Sequence, residues 1–219
     1  MPTTEQLIRM VDLSAVRAET DETEIREAAA WAVAHHCACL FTLPAMTPLT
    51  RALLQEAPDV HAGGTVGFPS GGATTRTKVA ETRELIELGC DELDMVINVG
   101  LLRSGQYDRV REDVRAVVEA AGDIPVKVIL ECHHLSDAQI RAACELCVEA
   151  GAAWIKTATG WAPTGATREN VALIKSVVGD RVGVKAAGGI RDLETLLAFY
   201  ELGARRFGLS YQSAARIFG

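Results

Sequence analysis

Eight short β-rich runs, each followed by a stretch of helical periodicity, leave this chain few ways to fold. The runs are "IRMVDLS", "CACLFTL", "VHAGGTVGF", "DELDMVINV", "PVKVILE", "AAWIKTA", "VGVKAAG" and "RRFGLS". Between them lie segments such as "DETEIREAAAWAVAHH", "TTRTKVAETRELIELG" and "YDRVREDVRAVVEAAG", whose apolar residues recur at the spacing of an amphipathic helix. Several start near Asp, Ser or Thr and stop at Gly, as helix caps should. The phrases "ELGCDELD", "EAGAAWIK" and "ELGARRFG" repeat one junction: a helix end, a glycine and the next strand. Strands alternating with helices make parallel sheets. Eight such units in 219 residues predict an α/β fold, a (β/α)8 TIM barrel spanning residues 1–219 as one domain. A doubly wound open sheet is the other arrangement of such units. No GxGxxG follows the first run, which counts against it. The chain also has no P-loop and no GxSxG.

Barrel enzymes carry their chemistry at the C-terminal ends of the strands. Two stretches there have the same form. In "WIKTATG" and "VGVKAAGGIRD" a lysine, Lys156 or Lys185, closes an apolar run just before a turn. Burying an ammonium is costly, so a purely structural lysine needs a carboxylate partner or a path for its head to water. The chain holds only five lysines, Lys78, Lys127, Lys156, Lys175 and Lys185, and three of them fall inside predicted strands. Two on adjacent strands, both facing the barrel mouth, point to function. A free lysine, with a pKa near 10.4, is protonated at neutral pH. A second ammonium and partial desolvation both favour the neutral amine. Such an amine can attack a carbonyl and form a Schiff base, an electron sink for making or breaking the adjacent C–C bond. The chemistry also needs a proton carrier. Asp94, in the middle of "DELDMVIN", is the inward candidate; Asp91 and Glu92 sit nearer the strand's start.

The last two strands end in "KAAGGIRD" and "FGLSYQSAAR". In barrels, the loops after strands seven and eight, with a short extra helix, commonly bind phosphate through backbone N–H groups. Gly188 and Gly189 allow close approach of an anion, Ser210 adds a hydroxyl, Arg191 adds charge, and "SYQSAARIF" supplies the helix.

Lys plus Arg number 22 against 29 Asp plus Glu, a formal charge of −7. That argues against a nucleic-acid partner, which would meet a basic face; a small anionic substrate needs only a local positive site. There is no 18-residue apolar run and "MPTTEQLIRM" is polar, so neither a membrane span nor a signal peptide is expected, and a cytoplasmic location is. The six cysteines (Cys37, Cys39, Cys90, Cys132, Cys144 and Cys147) are then expected as reduced thiols. Cys144 and Cys147 have CxxC spacing on a helical stretch, where buried small side chains are expected rather than a metal pair. The pairs His35–His36 and His133–His134 point in diverging directions on any regular element and cannot easily chelate one ion. No metal is expected.

The segments "GFPSGGATTRTKVAET", "GCDELDMVINVGLLRSGQYDRVREDVRAVVEA", "VKVILE", "WIKTATG", "TRENVALIKSVVG" and "VGVKAAGGIRDLETLLAFYELGARRFG" together resemble deoxyribose-phosphate aldolase, with the "KTxTG" and "VKAxGGIR" pair the most specific. The resemblance implies a class I (β/α)8 aldolase that uses no metal or other cofactor. It implies cleavage of 2-deoxy-D-ribose 5-phosphate to D-glyceraldehyde 3-phosphate and acetaldehyde. It assigns the Schiff base to Lys156, the lowering of its pKa to Lys185, and proton movement to Asp94 with Lys185. Substrate and its phosphate would lie on Thr159, Gly160, Gly188, Gly189, Arg191, Gly208 and Ser210. The N-terminal third departs from the family pattern. Asp12, Leu13 and Ser14 stand where an Asp-His-Thr segment is usual, and Phe41 and Leu43 replace the Cys and Asn of "VCVNP". Trp161 and Tyr211 are also bulkier than usual, and these four changes predict a larger-walled, more apolar pocket. The alternatives are a Schiff-base aldolase acting on another aldehyde pair and a non-catalytic sugar-phosphate-binding barrel. The expected partners are a small phosphorylated sugar or aldehyde and a second copy in a homodimer.

Overall fold

The computed structural model describes residues 2–219. Each of the eight runs holds one strand: β1 Val11–Ala15, β2 Cys39–Thr42, β3 His61–Val66, β4 Glu92–Val96, β5 Val126–Ile129, β6 Trp154–Lys156, β7 Gly183–Ala187 and β8 Arg206–Leu209. All neighbours are parallel, in sequence order, and β8 pairs back onto β1 to close a barrel. The helices are α1 Thr4–Ile8, α2 Glu22–His35, α3 Thr47–Leu53, α4 Thr75–Glu87, α5 Val99–Arg103, α6 Tyr107–Ala121, α7 Asp137–Glu149, α8 Arg168–Val178, α9 Leu193–Glu201 and α10 Tyr211–Phe218. The expected barrel is the observed one, and the open-sheet alternative falls with the β1–β8 pairing.

Polar residues fix where helices begin. The side chains of Asp21, Thr74, Ser136, Thr167, Asp192 and Ser210 each accept the backbone N–H three residues on, each cap contributing about 1 kcal/mol. Alternation along the strands then divides the molecule in two. Leu13, Leu40, Leu93, Met95, Val126, Val128, Ile155, Val184 and Phe207 face outward and join the core under the helices, where Val110, Val114 and Val117 of α6 also pack. Burying each such side chain is worth about 1.5–3 kcal/mol. The alternate positions point into the barrel, and there charged and small residues surround the rings of Phe41 and Trp154. Most barrels fill that space with branched apolar layers; this one fills it with ion pairs.

All six cysteines are free and buried, Cys144 and Cys147 on the inner face of α7. The paired histidines go separate ways. His35 stacks on Trp31 at 4.0 Å, whereas His36, in the left-handed conformation that ends α2, lies 2.5 Å from Asp59. His133 bonds Thr164 at 2.7 Å.

Candidate active site

Strand register delivers the two lysines to one point. Lys156 and Lys185 are direct partners across β6 and β7, and both reach Oδ2 of Asp94 on β4, at 2.7 and 2.8 Å. Strands β4, β6 and β7 are not all neighbours, so this junction can only form inside the barrel. Lys185 also pairs with Asp12 of β1 at 2.6 Å. Beneath it Lys127 of β5 pairs with Glu92 and lies 3.5 Å from Asp94 and 3.6 Å from Asp12. Arg206 of β8 bridges Asp12 and Glu92.

The electrostatics follow from this arrangement. Burial is the largest influence on Lys156 and favours the neutral amine; Asp94 opposes it, Lys185 reinforces it, and the pKa falls to about 8. The carboxylates show the reverse balance. Burial alone would raise Asp94, but Lys156, Lys185 and Lys127 hold it far below the usual range. Asp12 and Glu92 are likewise lowered by the lysines and Arg206 against their own desolvation. Lys127 is raised, since Asp12, Asp94 and Glu92 outweigh its burial.

Phe41 belongs to this interior. Its ring centroid is 4.2 Å from the Nζ of Lys185, 4.6 Å from that of Lys127 and 5.9 Å from that of Lys156. Gly63, its register partner on β3, makes the room, since a Cβ there would lie 2.6 Å from the ring. Val16 and Cys39 pack with it, and Leu43 and Phe68 lean against the cluster.

Above the amine opens a cavity of about 470 Å³ lined by Lys156, Thr159, Gly160, Gly188, Gly189, Arg191, Gly208 and Ser210. Eight of the ten residues singled out in the sequence therefore line one space; Lys185 and Asp94 lie directly below, bonded to its floor. Ser14, Val16, Arg17, Glu19, Glu24, Gln212 and Ser213 also line it, with Ala187, Ile190 and Leu209. Gly188 and Gly189 both have φ of +85°, a backbone shape that glycine adopts without strain. Gly208 is needed for space, since a Cβ would sit 2.8 Å from that of Ala187. Thr157 locks β6 to β7 by donating to the carbonyl of Ala187 and accepting its N–H, both at 2.9 Å. Thr159 donates to buried Glu131 and accepts the N–H of Trp161 at 3.0 Å.

The expectation of a more apolar pocket is corrected in part. Phe41, Leu43, Trp161 and Tyr211 do not line this cavity. Position 41 is an inward strand position opposite a glycine, so its ring sinks among the ammonium groups instead of walling the substrate. Tyr211 opens α10 and packs toward the core. One trio among the described residues, Asp12, Cys39 and Glu92, brings its ligand atoms within 4.8 Å of one another. Lys127, Lys185 and Arg206 already pair its carboxylates, and burial raises the Cys39 thiol. Those groups do not suit a metal.

Sequence reasoning passed over Asp12, Glu92, Lys127 and Arg206. The signal was strand parity: Glu92 is two residues from Asp94, so both face inward. Glu131 and Arg17 sit in loops and carry no comparable signal.

Comparison with known proteins agrees with this geometry. A family model described as DeoC/LacD family aldolase matches residues 7–212. The deoxyribose-phosphate aldolase of Klebsiella pneumoniae is 50% identical over 217 residues, covering 98% of this chain and 87% of that one. That of Rhizobium meliloti is 48% identical over 208 residues, covering 95% and 84%. The structure is similar to the tetrameric deoxyribose phosphate aldolase of Aeropyrum pernix, with a TM-score of 0.91, 27% identity and coverage of 99% and 91%.

Proposed function

The chain belongs to the DeoC/LacD family of aldolases, and from that premise we propose that it cleaves 2-deoxy-D-ribose 5-phosphate through an imine on Lys156. The observation that carries this reading is the amine of Lys156, buried against Asp94 and Lys185 at the floor of the cavity. The neutral amine adds to the C1 aldehyde of the open-chain sugar, and loss of water gives the imine. The C3 hydroxyl then gives up its proton and the C2–C3 bond breaks. C3 leaves as the aldehyde of glyceraldehyde 3-phosphate, and the bonding pair moves into an enamine. Protonation at C2 and addition of water release acetaldehyde and the amine.

Asp94 and Lys185 are the groups placed to move these protons. Oδ2 of Asp94 accepts from both Lys156 and Lys185, so the carboxylate sits one hydrogen bond away from the reacting amine. Lys185, shared between Asp94 and Asp12, couples Lys156 to the interior carboxylates. Gly160, Gly188, Gly189, Gly208, Ser210 and Arg191 take the phosphate, and the N-terminus of α10 points its partial positive charge at the same end.

The reading extends to the chain's setting. Six buried free thiols suit a reducing compartment, and no helix among the described residues is long and apolar enough to cross a membrane, so a cytoplasmic enzyme is proposed. The assembly is proposed to be a homo-oligomer, a dimer being the simplest closed form.

Borohydride reduction in the presence of acetaldehyde, followed by peptide mapping, tests the mechanism. A single adduct on Lys156 is expected; an adduct on another lysine, or none, would overturn it.

A further inference from the structure

The cavity holds a cation that the phosphate reading above does not use. Arg17, in the loop between β1 and α2, lines the same space as Gly188, Gly189, Arg191 and Ser210. Among the described residues neither Arg17 nor Arg191 makes a side-chain hydrogen bond or an ion pair. Two arginines that line one space with the glycines of the cradle are therefore without a side-chain partner among the described residues. Guanidinium is the side chain best matched to a phosphate, which it grips through two parallel hydrogen bonds. The whole chain carries −7 and repels a dianion on approach, so local cations decide whether one is held. Two carboxylates also line the cavity, Glu19 and Glu24, and Glu24 is engaged by the amide of Gln212 at 3.3 Å.

The loop that carries Arg17 is held in place from the other side of the mouth. Trp161, after β6, donates its indole N–H to the carbonyl of Val16 at 3.0 Å, across 145 residues of chain. Val16 is the residue immediately before Arg17. Trp161 is itself fixed by two contacts, one of them backed by a further hydrogen bond. Its backbone N–H is bonded to Thr159, Thr159 is bonded to Glu131, and its ring meets Phe68 edge-on at 6.0 Å. Trp161 is 39% exposed, so the single directed bond of its indole is better explained by the loop it ties down than by core packing.

We propose that Arg17 is a second phosphate-binding residue and that Trp161 is the positioning residue that sets it against the glycine cradle. The inference rests on the aldolase reading for its substrate but not for its test. Binding of inorganic phosphate, measured by titration calorimetry, needs no turnover. Arg17→Gln should weaken it at least fivefold. Trp161→Phe, which keeps a ring but loses the donor, should weaken it by a similar factor, and the double variant should be no weaker than Arg17→Gln alone. In the aldolase assay, the ratio of kcat/KM for deoxyribose 5-phosphate to that for 2-deoxyribose should fall at least fivefold in Arg17→Gln. Wild-type phosphate affinity in Arg17→Gln would overturn the role of Arg17. Additive losses, or no loss in Trp161→Phe, would overturn the tie through Val16. If acetaldehyde fails to trap on wild-type Lys156, the aldolase reading fails instead, and the phosphate titrations still decide the role of Arg17.

Discussion

Burial pushes the ammonium of Lys156 toward neutrality, Asp94 resists and Lys185 assists, and the balance is a pKa of about 8. At pH 7 such an amine is about one-tenth neutral, against roughly 0.04% for an ordinary lysine, a gain of about 200-fold in the reactive form. Because the neutral form attacks, kcat/KM should climb about tenfold per pH unit below the midpoint and level off above pH ~8; a flat profile from pH 6 to 9 would exclude this control. Lys156→Arg should show no cleavage although it keeps the charge, because a guanidinium does not deprotonate. Asp94→Asn separates two roles of one carboxylate. Removing it takes away the chief influence that raises the Lys156 pKa, so acetaldehyde trapping should persist to lower pH than in the wild type. Turnover should nevertheless fall by about 10²–10⁴, the usual worth of a positioned proton carrier. Trapping and turnover lost together would show that Asp94 only holds the amine in place.

Strands explain how much of this was legible. Eight runs of the right length predicted eight strands, and the lysines after "WI" and "VGV" marked the mouth correctly because their position at strand ends is a local property. The interior network is not local. Asp12, Glu92, Lys127 and Arg206 become partners only when β1, β4, β5 and β8 close around one axis, and spacing within a single strand reports parity but not the facing residue. Phe41 illustrates the limit: its sequence position suggested a pocket wall, but Gly63 on the neighbouring strand decides that it turns in among three ammonium groups. That pairing can be tested. Gly63→Ala has no conformational conflict, since its φ is not positive, but its Cβ would meet the Phe41 ring at 2.6 Å. Overpacking of this kind costs about 1–3 kcal/mol, read by urea unfolding. Phe41→Leu in the same chain should return part of that loss by shortening the side chain that the new methyl strikes. Strictly additive costs in the double variant would mean that the two positions do not share one space.

For the whole molecule, the barrel inverts the usual assignment of polar and apolar groups. Its apolar strand faces lie under the helices, and its axis holds Asp12, Glu92, Asp94, Lys127, Lys156, Lys185 and Arg206, all but Arg206 nearly inaccessible. A buried ion pair does little for stability when compared with an apolar replacement, but leaving one member unpaired is strongly destabilising. Acid should expose that dependence. The three interior carboxylates are held below their ordinary range by the facing cations, so as pH falls below about 4 the unfolded chain takes up protons that the folded chain refuses. Stability then declines with falling pH, and at about 1.4 kcal/mol for each unit of depression a loss of about 2 kcal/mol or more is expected between pH 6 and pH 3. Equilibrium urea unfolding at the two pH values gives this difference directly. Salt distinguishes its origin, because exposed pairs such as Arg26–Glu22 are screened within about 3 Å at 1 M ionic strength whereas buried pairs are screened much less. The acid loss should therefore survive 1 M sodium chloride. Its disappearance in salt would place the titrating groups on the surface and leave the interior network without a measurable share in acid stability.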